Sequence, residues 1–150
     1  MDFLKEINSS PIRIKIPVQW GDMDAANHVN NVRYMRWTES SRIAFFEKFK
    51  IGTSFQNGIA PILAWQDCKY ILPLTFPDTA IITCNVIELL TDRFVMESKV
   101  YSSVHERLAA ISNQRIMAYD YNLLKKAPLP MSWLNGIDQS LIDVKEDSSS

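Results

Sequence analysis

The chain predicts an α+β fold in which a twisted antiparallel sheet wraps one long helix, and three observations predict it. Ile12, Ile14, Ile16 and Val18 alternate with Arg13, Lys15, Pro17 and Gln19, the period-2 signature of a strand with one buried face. Residues 31 to 50 then read as a helix whose apolar side chains cover more than one stripe. After it come four runs rich in β-branched and aromatic residues, best read as consecutive antiparallel strands wrapped on that helix. With 150 residues, 47% of them hydrophobic, the chain fits one domain and can bury a core without disulfides or a structural metal.

Taken in order, the first strand covers about residues 12 to 20 and leads into a polar loop. In the helix that follows, Val32, Tyr34, Met35, Trp37, Ile43, Ala44, Phe45, Phe46 and Phe49 predict burial on most sides. Lys48, Lys50 and Gly52 suit its C-terminus. A loop at Phe55-Gln56-Asn57-Gly58 precedes strand-like runs over residues 59–72, 79–90, 94–102 and 108–121, separated by turn signals at Pro73, Pro77-Asp78, Thr91-Asp92 and His105-Glu106. Residues 123–137 carry Pro128 and Pro130 and then Met131-Ser132-Trp133-Leu134, which predicts a loop and a terminal helical turn. The core is expected over residues 11–125, an extension over 126–140 and a flexible tail over 141–150, whose last residues are charged and serine-rich. A helix covers one face of a sheet, so Trp65, Ile71, Ile82 and Val86 are assigned to a second apolar face, and a homodimer or larger assembly is expected.

Composition narrows the function. Sixteen basic residues scattered among 17 acidic ones give a net charge of -1, which argues against a nucleic-acid footprint or a basic membrane surface. The N-terminal residues interrupt their apolar side chains with charge, and no run is long enough for a membrane span, so a cytoplasmic location is expected. Cys68 and Cys84 lack the spacing of a redox pair or a zinc site and are expected as small core residues.

The chemistry-bearing stretch is Gln19 to Asn31, which places Asp22, Asp24, His28, Asn30 and Asn31 ahead of a helix N-terminus with its unpaired backbone N–H groups. Either aspartate can serve as an acid-base group or as an Asx-turn or capping residue. A calcium loop fails, because Ala26, Asn27 and Arg33 occupy positions that need an oxygen ligand, a glycine and a bidentate glutamate. His28, as an imidazole, is a residue type suited to moving a proton, and it can otherwise orient the loop. Asn30 and Asn31 can cap the helix or aim at a substrate, and the Asn31 N–H can receive an ester or thioester oxygen. Glu39 and Arg42, spaced i, i+3, predict a partly buried ion pair. Four glycines form no phosphate loop.

Trp20-Gly21-Asp22-Met23-Asp24, His28-Val29-Asn30-Asn31-Val32-Arg33-Tyr34 and Glu39-Ser40-Ser41-Arg42 together resemble the hotdog-fold acyl-CoA thioesterases of the 4-hydroxybenzoyl-CoA thioesterase type. The resemblance implies a five- or six-stranded antiparallel sheet around a long central helix, subunits paired into a homodimer or homotetramer, and hydrolysis of an acyl-CoA without cofactor or metal. It makes Asp24 the catalytic nucleophile or general base, Asn31 the residue whose N–H polarises the thioester carbonyl, and His28 an orienting residue. Asp22 becomes a supporting residue, and Trp20, Asp22, Asn30 and Tyr34 are expected at the substrate. Two alternatives keep the fold: an enoyl-CoA hydratase or dehydratase, and a non-catalytic module that binds an acyl-thioester.

Overall fold

The computed structural model describes residues 2–52 and 58–149, with side chains to residue 144; the expected loop residues Phe55 to Asn57 lie outside them. The elements run α1 (Phe3–Asn8), β1 (Arg13–Pro17), a single 3₁₀ turn (Trp20–Asp22), α2 (Asn31–Phe49), β2 (Ile59–Gln66), β3 (Lys69–Tyr70), β4 (Thr79–Leu89), β5 (Arg93–Ser102), β6 (Arg107–Asp120), β7 (Lys125–Ala127) and α3 (Met131–Ser149). All strand pairs are antiparallel, in the order β1-β4-β5-β6-β2. Along one edge of β6, β2 pairs with the stretch from Asp120 to Gln114 and β3 with Ile111 and Ala110; β7 pairs with residues 118–120, in line with β5.

α2 begins where Asn30 accepts a hydrogen bond from the Val32 N–H and ends at Lys50, whose left-handed backbone (φ 59°) stops the helix. Its buried side chains are Tyr34, Trp37, Thr38, Ser41, Arg42, Phe45 and Phe49, which recur every three or four residues on one face. Val32, Met35 and Ile43 are exposed. The expected burial on most sides is therefore corrected: the helix buries a single broad face, because the sheet covers only that one. Phe45 and Phe49 join Phe94, Met96 and Ile116 in one core cluster, while Tyr34 and Trp37 join Val18, Val29, Leu74, Ile82 and Val100 in another. Each such large apolar side chain contributes about 1.5–3 kcal/mol on burial. The second cluster clamps both ends of the polar loop, Val18 and Val29, onto the sheet, and so positions the loop.

Four expectations shift. The first strand ends at Pro17, and its last expected residue, Trp20, opens the 3₁₀ turn. The run 59–72 breaks into β2 and β3 because Asp67 takes the place of a ladder residue: its carboxylate accepts from the Asn113 N–H at 2.8 Å and its own N–H donates to the Asn113 carbonyl at 3.0 Å. Of the residues assigned to a second apolar face, Trp65 and Ile71 are exposed, but Ile82 is fully buried against α2 and Val86 packs on the first cluster. The terminal helical turn is a helix of 19 residues whose Trp133, Ile137 and Ser140 face the core, and residues 141–149, expected as a tail, continue it. Pro130 stands just before its start, where a missing N–H costs nothing. α1 and β7 had no counterpart in the sequence reading.

Candidate active site

Residues 23–29 form a tight loop closed at its neck by a bridge between Met23 and Val29. Inside it the Asp24 N–H donates to the His28 carbonyl at 2.9 Å, and the Asn27 N–H donates to the Asp24 carbonyl at 3.0 Å. Asn27 adopts a left-handed backbone (φ 62°), which asparagine tolerates better than most residues. One oxygen of the Asp24 carboxylate, Oδ1, accepts from the Ala26 N–H at 2.8 Å, an Asx turn that fixes the side chain. Its other oxygen has no partner among the described residues, and Asp24 is exposed to solvent.

Two residues earlier, Asp22 has a different role. It is buried, its Oδ2 accepts from the Gln19 N–H at 2.7 Å, its Oδ1 lies 3.2 Å from the Arg33 Nε, and its carbonyl accepts from the Asn30 N–H. Asp22 thus ties the end of the first strand to the start of α2.

Asn30 takes up two of the orphan N–H groups of α2, Val32 through its side chain and Arg33 through its carbonyl. The Asn31 N–H is left without a partner among the described residues. Asp24 and Asn31 line one cavity of about 290 Å³, closed by Val29, Tyr34, Tyr70 and the segment Ile71–Pro73. Leu74 holds that segment in place: its carbonyl accepts from the Val29 N–H at 2.8 Å, and its N–H donates to the Tyr34 hydroxyl at 3.3 Å. Burial pushes the Tyr34 phenol above its ordinary range, against the opposing pull of the Leu74 hydrogen bond.

Tyr70 was missed by the sequence reading, which placed it inside one long strand. Its ring meets Tyr34 edge-on at 5.1 Å, and its hydroxyl donates to the Asn31 carbonyl at 3.5 Å. Desolvation, and then a hydrogen bond with the Cys68 thiol, push its phenol up to about 12, so it remains a proton donor throughout the neutral range.

The seven expected site residues therefore divide. Asp24, Asn31 and Tyr34 share the cavity. Asp22 and Asn30 line a separate concavity of about 340 Å³ with Arg33 and Arg36. Trp20 is 73% exposed, and His28 is exposed and joins the loop through its backbone carbonyl. The expected Glu39–Arg42 pair is corrected: Glu39 lies 3.7 Å from Arg36, and Arg42, buried under the helix, donates to Gln114 at 3.3 Å. An i, i+3 neighbour exists on both sides of Glu39, and the exposed one wins because Arg42 points into the sheet. Among the described residues no group of three or more His, Cys, Asp or Glu could hold a metal ion, and no helix is long and apolar enough to cross a membrane.

Residues 18–137 match the sequence profile of the thioesterase-like superfamily. No curated protein matches the chain. Solved structures with the same fold include Slr0204, a 1,4-dihydroxy-2-naphthoyl-CoA thioesterase from Synechocystis, at 17% identity over 85% of this chain and 95% of that one, with a TM-score of 0.74. A Thermus thermophilus thioesterase complexed with coenzyme A and Zn aligns at 22% identity over 89% and 96% of the two chains, with a TM-score of 0.76. SAV2348 from Staphylococcus aureus, in complex with CoA, aligns at 14% identity over 88% and 84%, with a TM-score of 0.76. At these identities the likeness is one of fold.

Proposed function

The chain belongs to the thioesterase-like superfamily, and from that premise we propose that it hydrolyses an acyl-CoA to a free carboxylic acid and coenzyme A, as a hotdog enzyme of the 4-hydroxybenzoyl-CoA thioesterase type with α2 as its central helix. One observation carries the reading: a carboxylate oxygen of Asp24 and the N–H of Asn31, both without a partner among the described residues, belong to residues that line one cavity.

A thioester carbonyl in that cavity accepts from the Asn31 N–H, reinforced by the positive end of α2, and its carbon becomes more electrophilic. Asp24 then acts in one of two ways. As a base it takes a proton from water while the water oxygen bonds to the carbonyl carbon; as a nucleophile it bonds to that carbon itself, and water cleaves the resulting anhydride. In both, the carbon–sulfur bond breaks as the oxyanion collapses, and coenzyme A leaves as a thiolate that picks up a proton. The Asx turn holds the carboxylate still, and Tyr34 and Leu74 fix the opposite wall, so positioning supplies part of the acceleration. His28 orients the loop through its carbonyl in this scheme, and Trp20, Asp22 and Asn30 act around the cavity rather than in it.

Asp24→Asn is the direct test, because an amide oxygen still accepts from the Ala26 N–H and the loop keeps its shape. Thiol release from a panel of acyl-CoAs should fall by about a hundredfold or more, in line with losing an acid-base or nucleophilic group, with the melting temperature unchanged. Parent-like turnover in the variant overturns the assignment of Asp24. A folded parent that releases no thiol from any member of the panel, yet binds acyl-CoA, favours the binding module instead.

The same reading implies an assembly. β2 ends the sheet order with its outer edge unpaired among the described strands, and Leu63 and Trp65 on it are exposed. A second copy can pair there, β2 to β2, and cover both side chains. Light scattering is expected to give a dimer or tetramer, and Leu63→Lys to shift it towards monomer.

A further inference from the structure

Polar side chains cross the core between its two apolar clusters. On α2, Tyr34 and Trp37 belong to the cluster at the candidate site and Phe45 and Phe49 to the other, and between them Thr38, Ser41 and Arg42 are buried. Their partners include side chains of the sheet. At the end of β2, the Gln66 Nε2 donates to the Thr38 hydroxyl at 3.1 Å and to the Ser112 hydroxyl of β6 at 3.4 Å. The Gln114 Nε2 donates to the same Ser112 hydroxyl at 3.2 Å, and its Oε1 accepts from Arg42 at 3.3 Å. Ser112 in turn donates to the Asp67 carbonyl, at the β2–β3 break, at 2.7 Å. Two amides therefore lead from one buried hydroxyl to Thr38 and Arg42, one turn apart on the same face of α2. The Thr38 hydroxyl donates its proton to the Met35 carbonyl at 3.0 Å, so both hydroxyls that Gln66 meets are acceptors, and an amide with two N–H bonds suits both.

Apolar contacts are non-directional and tolerate small slides of one surface over another, whereas these hydrogen bonds are made in one register only. That register reaches the candidate site through both of its walls. Asn31 stands two turns before Thr38, about 10 Å along a stiff helix, and the loop that carries Asp24 is tied to the same helix end where the Asn30 N–H donates to the Asp22 carbonyl. The facing wall, Tyr70 to Pro73, hangs from the sheet, with the Ile71 and Leu72 N–H groups both donating to the Ala109 carbonyl of β6. Leu74 fastens the far end of that wall to Val29 and Tyr34. The near end, at Tyr70, meets α2 only through the edge-on Tyr34 ring and a 3.5 Å contact to the Asn31 carbonyl, which is long for a hydrogen bond. Gln66 and Asp67 lie just before that near end. We infer that Gln66 and Ser112 are positioning residues of the candidate active site: acting through Thr38, they hold the start of α2, with Asp24 and Asn31, at a fixed spacing from Tyr70.

This rests on the thioesterase reading, and the test separates the two. Thr38→Val and Gln66→Met keep shape and length and together remove the polar groups from both sides of one hydrogen bond, so the double variant strands neither partner of that bond. Ser112 keeps its bonds to Asp67 and Gln114. The double variant should therefore melt close to the parent, while kcat/KM for thiol release from acyl-CoAs falls by about tenfold or more, mostly in kcat, because the reacting groups are misplaced. Thr38→Ser keeps the acceptor and should turn over like the parent. A second readout needs no turnover. The nuclear Overhauser effect between the Tyr34 and Tyr70 rings, which spans α2 and β3, should weaken in the double variant, while that between Phe46 and Phe94, farther along α2, persists. Parent-like kcat/KM in the double variant, an intact Tyr34–Tyr70 contact, or a loss in Thr38→Ser as large as in Thr38→Val overturns the inference and leaves the thioesterase reading standing. Activity that falls only in step with melting temperature assigns the network to stability and overturns it too. A weakened Tyr34–Tyr70 contact in a protein whose parent releases no thiol from any acyl-CoA supports the spacing role and overturns the hydrolase.

Discussion

Asp22 and Asp24 are two residues apart and chemically identical, so their surroundings decide what each can do. Asp22 is buried, spans two segments and has both oxygens engaged. Removing it strands the Gln19 N–H and the Arg33 guanidinium, so Asp22→Ala should lower unfolding stability by about 1–3 kcal/mol, read as a lower urea midpoint at unchanged slope. An unchanged midpoint would mean that these contacts are replaced by water at no cost. Asp24 should show the converse, a loss of turnover without loss of stability. The loop was legible in the sequence because everything that shapes it lies within a dozen residues: the Asx turn, the left-handed Asn27 and the Asn30 cap are local chemistry. Tyr70 was not legible, because it reaches the site by pairing with β6 and has no marker in its own segment. Arg42 was read as paired with Glu39 because helical spacing permits it, and only packing shows that its side chain enters the sheet interface.

At the scale of elements, α3 docks on the end of α2 through a close approach. A Cβ built on Gly136 would press onto the Phe49 carbonyl oxygen, and Ile51 stands beside it. Backbone cannot step aside as a flexible side chain would, so Gly136→Ala should force α3 away and cost roughly 1–3 kcal/mol, although alanine is the better helix former. Thermal unfolding followed by circular dichroism checks this, and a stabilised variant would show that α3 shifts freely. The same glycine explains why α3 was hard to read. It lies in the second turn of a helix that Pro128 and Pro130, which signal a loop, immediately precede, and the helix is justified by its Trp133, Ile137 and Ser140 face meeting a surface made elsewhere in the chain. The strands β4, β5 and β6 were legible to within a residue at each end, since their β-branched runs are bounded by turn residues. The β2–β3 break was not, because its cause is a hydrogen bond from Asn113.

Across the whole molecule, burial acts on weak acids in one direction. Tyr34, Cys68, Tyr70, Cys84 and Tyr101 all have their proton affinities raised, with desolvation the largest cause each time. Cys84, fully buried, is pushed from its ordinary 9.0 up to about 12, against the hydrogen bonds of Ser98 and Ser41. Tyr70 is nearly half exposed, so solvent screening leaves it a small share of any stability effect. The sign follows from linkage. A group that holds its proton more tightly when folded leaves stability intact below its unfolded value and removes it as pH rises towards the folded one. The native state should therefore be insensitive to these groups at neutral pH and lose stability progressively from about pH 9, where an unfolded cysteine ionises, to about pH 12. Melting temperature measured across that window should fall steadily, and Cys84→Ala should fall less steeply because it has one fewer buried acid. A variant as steep as the parent would shift the effect to the tyrosines, and a flat profile for both would mean that the buried hydroxyls and thiols gain compensating partners as the protein assembles.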